Sequence, residues 1–142
     1  MKINTLRRES FKKYGGILEP EAKNSVFTVL CGEEEKTGWR IGYVILKPGE
    51  TDTLEAHPET LETFEPVKGG AVILAAEKDS PEDIEAFFLD KAVVINKGVW
   101  HGVAALSETA EIKVTENNEV ETIYHKLEKP LEPAVIQKQK GQ

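Results

Sequence analysis

The chain has 142 residues, the length of one ordinary domain, and can bury a sizeable core without disulfide or metal staples. At 39% hydrophobic and 30% charged residues it is neither disordered nor fibrous in composition. Eighteen Lys and Arg against 25 Asp and Glu leave a net charge of −7, which argues against nucleic-acid and anionic-membrane partners, since both demand clustered positive charge. The single cysteine, Cys31, excludes an intramolecular disulfide framework and a Cys-based zinc site. It reads as a small buried hydrophobe in a reduced, cytoplasmic protein. No apolar run follows the N-terminal charges, so no signal peptide is expected. The longest apolar stretch, Ala71 to Ala76, is a buried strand's length and far short of a membrane span.

In chain order, Ser10 to Gly15 predicts one or two helical turns, with Ser10 as cap and Gly15 or Gly16 as stop. Beyond that the dominant period is two. Ser25 to Cys31 is β-branched and apolar, and Gly32 to Gly38 reads as the solvated loop of a hairpin to the next strand. In that strand, Gly38 to Lys47, the residues Trp39, Ile41, Tyr43 and Ile45 alternate along one face, while Val44 and Leu46 make its far end apolar on both sides. Further strands are expected at Thr53–His57, Ala71–Glu77, Ala86–Leu89, Ala92–Asn96, Gly102–Leu106, Ala110–Thr115 and Val120–His125. Ser80-Pro81-Glu82-Asp83 has the grammar of a helix start, but the apolar run behind it is short, so a turn is expected. Asn117-Asn118 can take the positive φ of a tight hairpin. Residues 128–142, with two prolines and a polar end, are expected to be an extended or frayed tail of the single domain 1–142. Many short strands in one domain predict an all-β sandwich or barrel.

Two of the three histidines sit in informative company. On a strand, Glu55 and His57 point to the same face, and Glu62 returns after a short turn. His101 closes the run Asn96-Lys97-Gly98-Val99-Trp100-His101. Together these segments resemble the two motifs of the cupin superfamily, which implies a double-sheet jelly-roll barrel. Glu55 stands at the first motif His, His57 at the second, Glu62 at the motif Glu and Gly69 at its closing Gly. In the second motif Asn96 replaces Pro, while Gly98 and His101 match.

A narrower resemblance runs from Phe11-Lys-Lys-Tyr-Gly15 through His57-Pro58, Phe64-Glu65-Pro66-Val67-Lys68-Gly69, Val72 to Ala76, Glu85-Ala86-Phe87 and Val99-Trp100-His101 to the strand near Val114. These stretches look like the ureidoglycolate lyase family, a cupin branch that splits ureidoglycolate into glyoxylate and urea during allantoin breakdown. The chain departs from that family at Glu62, where Gln is usual, and at Glu85, where the family has Arg. It departs again at Gly102, where the family has a second His. The first acid of the family's Glu-x-Glu-x-His is Thr53 here.

The resemblance implies a lyase acting on a small carboxylic acid. Cleaving a hemiaminal needs a base for the hydroxyl proton, an acid for the departing urea nitrogen, and positive charge for the carboxylate. His101 and His57 can serve either proton role, and repulsion between Glu55 and Glu62 can raise one carboxyl's pKa. Lys68 is the nearest cation in sequence for the carboxylate, and Trp100 either covers the pocket floor or packs in the barrel core. Alternatively, Glu55, His57, Glu62 and His101 chelate a divalent metal, with Mn, Fe, Ni and Zn all suited to two imidazoles and two carboxylates. A non-catalytic cupin that binds a small metabolite or metal fits the same residues. His125, among charged neighbours on a late strand, reads as surface. The resemblance also implies a homodimer.

Overall fold

Period-two patterning builds strands and little else. A computed structural model describes residues 1–22 and 25–132, and the described residues hold eleven strands and one short helix. In chain order these are β1 (Ile3–Asn4), α1 (Arg8–Phe11), β2 (Gly15–Ile17), β3 (Trp39–Leu46), β4 (Thr51–Ala56) and β5 (Glu62–Lys68). There follow β6 (Ala71–Ala76), β7 (Glu85–Phe88), β8 (Val93–Ile95), β9 (Trp100–Ala105), β10 (Ala110–Asn117) and β11 (Ile123–Leu131). One sheet has the order β1-β7-β6-β9-β4-β11 and the other β2-β8-β5-β10-β3. The chain passes repeatedly between them, which makes a jelly-roll barrel, as the cupin resemblance implied.

Strand alternation sorts the side chains into an interior and an exterior. Phe64, Ile73, Ala75, Phe87, Ile95, Ile112 and Val114 fill the space between the sheets. Phe11 and Tyr14 close one end of it, each ring edge-on to Phe87. The opposite face of the six-stranded sheet carries a second cluster, in which Leu54, Val72, Leu74, Ala76 and Ala104 pack with Leu127, Met1, Ile3 and Leu131. Strand β6 is therefore buried on both faces, which is why its sequence is an unbroken apolar run.

Most expected strands form within a residue or two of their expected bounds, with differences that have physical causes. The segment 25–31 is not a strand: its residues are exposed and pair with no ladder, and strand propensity alone does not hold an isolated strand. Cys31 lies in this segment and is exposed, not buried. The N-terminal helix starts earlier than expected, with Arg7 as cap, and Ser10 sits inside it. Gly15 does not stop a helix but opens β2, where a Cβ would lie 1.7 Å from the Val94 carbonyl oxygen. Among described residues positive φ occurs at Gly69 and Gly98 and not at Asn117 or Asn118, because β10 and β11 belong to different sheets and form no hairpin. Residues 80–83 form the expected turn, with Asp83 N–H donating to the Ser80 carbonyl. The first part of the supposed tail, through Leu131, is strand β11, whose Pro130 is tolerated on a sheet edge. Residues 133–142 lie outside the described residues. Strands β1, β2 and β5 were not anticipated, β5 because its outward Thr63 and Glu65 interrupt the apolar pattern. Among the described residues no helix is long and apolar enough to cross a membrane.

Gly15→Ala is expected to lower unfolding free energy by at least about 1–3 kcal/mol, because backbone must move to admit the methyl group. Gly42→Ala, with nothing within 4 Å of the new methyl, should be close to neutral in the same urea-denaturation series.

Candidate active site

The barrel interior changes from apolar to ionic at one end. Glu55 in β4 lies directly across from His101 in β9. His57 follows the last residue of β4, and its carbonyl accepts a hydrogen bond from Gly98 N–H at 3.0 Å, which ties the two histidine-bearing segments together. The turn after His57 brings Glu62 in as the first residue of β5. One potential ligand atom from each of Glu55, His57, Glu62 and His101 lies within 4.8 Å of the others.

Glu62 is the centre of the cluster. Its Oε1 is 2.7 Å from Nε2 of His101 and 3.1 Å from Nε2 of His57. Glu55 Oε1 stands farther off, 3.6 Å from His57 Nε2 and 3.8 Å from His101 Nε2. The far nitrogens of both rings are tied to backbone. His101 Nδ1 donates to the Val99 carbonyl at 3.0 Å, and His57 Nδ1 lies 3.2 Å from the Glu121 carbonyl oxygen and 3.2 Å from Thr122 Oγ1. A carbonyl only accepts, so each Nδ1 carries its hydrogen and each Nε2 is turned to the cluster. The Phe64 ring packs edge-on to His101, 5.6 Å between centroids.

Burial works against charge on His57, but hydrogen bonds to Glu55 and Glu62 outweigh it and push its pKa up to about 10. Burial likewise disfavours the Glu62 carboxylate, yet hydrogen bonds from His101 and His57 hold it well below the usual carboxylate range. His57, Glu62 and His101 are all buried, whereas the Glu55 side chain is 39% exposed. The cluster is therefore reached past Glu55.

Two expected binding residues lie elsewhere. Lys68 is at the opposite end of β5 from Glu62, about 20 Å along the strand at 3.3 Å per residue, and its nearest acidic partner is Glu111 at 3.9 Å. Trp100 points away from the cluster, because adjacent strand residues face opposite sides, and donates from Nε1 to the Lys78 carbonyl at 2.9 Å. His125 sits at the surface, half-buried against the Trp100 ring, and pairs with Glu82. Two neighbours of the cluster escaped the sequence reading. Glu116 of β10 lies across from Glu62 and within hydrogen-bond reach of its carboxylate, and Arg40 of β3 lies across from Glu116. The inward alternation Ile112, Val114, Glu116 on β10 is the pattern that marks the first.

The donor set suits a divalent ion of the Mn-to-Zn group: two imidazole Nε2 atoms and two carboxylates, each ring locked from behind by a carbonyl. Donors bound to one ion at about 2.1 Å are at most about 4.2 Å apart, so the widest spacing needs only a small inward shift.

A double-sheet barrel with this inward quartet at one end is a cupin. The ureidoglycolate lyase family profile matches residues 45–132, and the chain belongs to that family. No curated protein matches the chain. Among solved structures it is similar to a 3,4-ketoisomerase from Helicobacter canadensis, with 18% identity over 59% of this chain and 66% of that one, at a TM-score of 0.50. It is also similar to a cupin 2 domain-containing protein from Halorhodospira halophila, with 18% identity over 71% of this chain and 61% of that one, at 0.45. A third is the oxalate decarboxylase of Bacillus subtilis, described with Mn(II) centres, with 16% identity over 64% of this chain and 24% of that one, at 0.47. The chain thus spans at most 66% of each of these proteins.

The raised pKa of His57 makes the apo protein's stability depend on pH. A group with its folded value near 10 against an ordinary 6.5 stabilises fully below about pH 6.5 and loses that contribution as pH climbs toward 10. Glu62, depressed from 4.5, stabilises above that value and loses its contribution in acid. Chelator-treated protein should therefore show its highest Tm between about pH 4.5 and 6.5 and a decline toward pH 10. In His57→Gln the alkaline decline should flatten, as read by thermal denaturation across pH.

Proposed function

We propose that the chain is a carbon–nitrogen lyase that releases urea and glyoxylate from ureidoglycolate or cleaves a closely related small ureido or hydroxy acid. Family membership supports this reading, and one observation carries it: two imidazole Nε2 atoms converge on a buried carboxylate beside a carboxylate that solvent reaches. Glu55, the accessible member, takes the substrate's hydroxyl proton. The oxygen's electron pair then forms the carbonyl of glyoxylate as the carbon–nitrogen bond breaks. His57, protonated well above neutral pH, gives its Nε2 proton to the departing urea nitrogen. The proton on Glu55 returns to His57 across 3.6 Å, which resets the site. Glu62 and His101 hold His57 in charge and orientation.

Incubating purified protein with ureidoglycolate should release urea and glyoxylate in equal amounts. His57→Ala and His101→Ala should each lower kcat/KM by about 10²–10⁴-fold. Full activity in His101→Ala would remove that residue from the assignment.

The same four residues support a metal-dependent form of this chemistry. Glu55, His57, Glu62 and His101 would hold the ion, which would supply Lewis-acid polarisation of a substrate oxygen. The backbone-locked imidazoles favour this version. Elemental analysis after reconstitution with Mn, Fe, Ni or Zn should find close to one ion per chain, lost in Glu62→Gln, and no bound ion in wild type would rule it out.

For its partner we propose a second copy of the chain. Trp39, Ile41, Tyr43, Ile45 and Val67 are exposed on the outer face of the five-stranded sheet, and Val26, Phe27 and Val29 are exposed in the strandless segment. Together they offer on the order of 1,000 Å² per protomer, against about 800 Å² per partner in a standard interface. Among the described residues strand β3 pairs with β10 on one side and is a sheet edge on the other, and residues 25–31 have strand composition but join no sheet, so a two-fold pairing answers both at once. Light scattering should give twice the chain mass, and Ile45→Glu should give a folded monomer. A wild-type monomer would overturn the pairing. The reading includes a cytoplasmic location, which an exposed free Cys31 suits.

A further inference from the structure

We infer that Arg40 forms a carboxylate-binding subsite at the open side of the barrel and anchors the acid group of the substrate. The inference rests on the lyase reading for its substrate class, small α-hydroxy or ureido carboxylates, and on the geometry for its location.

Glu62 of β5, Glu116 of β10 and Arg40 of β3 are cross-strand neighbours in one row of the five-stranded sheet. Adjacent strands lie about 4.8 Å apart, so the row carries a cation to within two strand spacings of the cluster. The alternation on β3 places Arg40 on the inward side with Gly42, Val44 and Leu46, while Trp39, Ile41, Tyr43 and Ile45 face out. Inward positions elsewhere in the barrel are closed off: Phe64, Ile73, Ile112 and Val114 are buried. Along this side they are not, since Thr53 is exposed, Glu55 is 39% exposed and Arg40 is 51% exposed. Solvent therefore reaches the inward side at Thr53 and Glu55 of β4 and at Arg40 of β3, and Arg40 shares the row of Glu116 and Glu62.

The guanidinium is fixed but not consumed. Its Nε donates to Glu116 Oε2 at 2.9 Å and its Nη2 contacts the same oxygen at 2.7 Å. Among the described residues no other partner contacts it, which leaves the Nη1–Nη2 edge for a carboxylate in the two-point geometry that Arg favours. Three other cations have acidic partners outside the cluster. Lys13 pairs with Glu85 at 3.0 Å, Lys97 with Glu33 at 2.7 Å, and Lys68 lies at the far end of β5. Glu116, only 12% exposed, acts as the positioning residue that keeps the guanidinium beside Glu62. The arrangement accounts for how an anionic substrate can approach a cluster that contains two carboxylates.

The test uses the full-length protein and glycolate, which shares the carboxylate and hydroxyl of the proposed substrate, with urea as the uncharged comparison. Calorimetry should show wild type binding glycolate and Arg40→Gln binding it about 10–100-fold more weakly, with urea binding the same in both. Arg40→Lys should recover only part of the loss, because an ammonium lacks the two-point fork. Melting temperatures should agree within a few degrees, since a half-exposed ion pair adds little stability. With ureidoglycolate, Arg40→Gln should raise KM by the larger factor and change kcat less. Equal glycolate affinity in wild type and Arg40→Gln overturns the subsite, as does no glycolate binding by wild type. If wild type releases no urea while Arg40→Gln still loses glycolate, the lyase reading fails and the subsite stands. If wild type is active and Arg40→Gln matches it in KM and glycolate affinity, the subsite fails and the lyase reading stands.

Discussion

A carboxylate taken out of water must be compensated, and the way Glu62 is compensated organises the ionic end of this barrel. Two imidazoles meet it at 2.7 and 3.1 Å, and each imidazole is held from behind by a backbone carbonyl. The carbonyl that fixes His101 belongs to Val99, two residues earlier, so entry into β9 sets that ring's orientation. The carbonyl that fixes His57 belongs to Glu121, in the crossing from β10 to β11. Both sheets and one crossover thus converge on a single carboxylate oxygen. Removing any one of these three side chains leaves the others buried with an unmet partner, so the cluster is held together by the penalty for breaking it.

The apolar interior supplies the complementary constraint. Phe64 occupies the same inward row of β5 as Glu62, and its ring closes one side of His101. Ile112 and Val114 precede Glu116 on β10 in the same way. The polar groups are thus the ends of apolar rows, placed where the packed core gives way to the opening. Such a boundary keeps the cluster dry on one side and reachable on the other, which is the condition under which fixed charges and dipoles act most strongly on a reacting group.

Much of this was readable from residue spacing, and the parts that were not share a cause. Glu55 and His57 at a spacing of two, Glu62 after a turn and His101 after Gly98 were sufficient to place the quartet, because strand alternation and short turns are local rules. Lys68 is the nearest cation in sequence, yet β5 is extended and carries it the whole length of the strand away from Glu62. Trp100 neighbours His101 in sequence, and the pleat turns it to the other face, so it neither covers the floor of the cluster nor fills the space between the sheets. Segment 25–31 has the composition of a strand, but a strand is a relation to a neighbour, and composition does not say whether the neighbour is present. Arg40 was hidden by the residues around it. On a strand an apolar face is ordinarily the buried one, and by that rule Trp39, Ile41, Tyr43 and Ile45 turn Arg40 to solvent. The structure reverses the faces, with the small Gly42 and the aliphatic Val44 and Leu46 inside.

That reversal bears on the charge balance. A protein of net charge −7 repels an anion at long range, and the position where the ureidoglycolate lyase family carries Arg is Glu85 here, bound to Tyr14 and Lys13. Yet charges separated by more than about 10 Å are largely screened at 0.1 M salt, so the total charge governs approach far less than the groups at the opening. There the balance is local: Glu55 and Arg40 reach solvent, Glu116 is paired with Arg40, and two imidazoles are paired with the buried Glu62. Glu116 lowers the net attraction of Arg40 but also holds it in place, and a guanidinium already ordered by one carboxylate loses less freedom on meeting a second. An acidic chain can therefore receive an acidic ligand, provided that the cation which greets it is fixed in advance and the carboxylate it must pass is drawn toward the histidines.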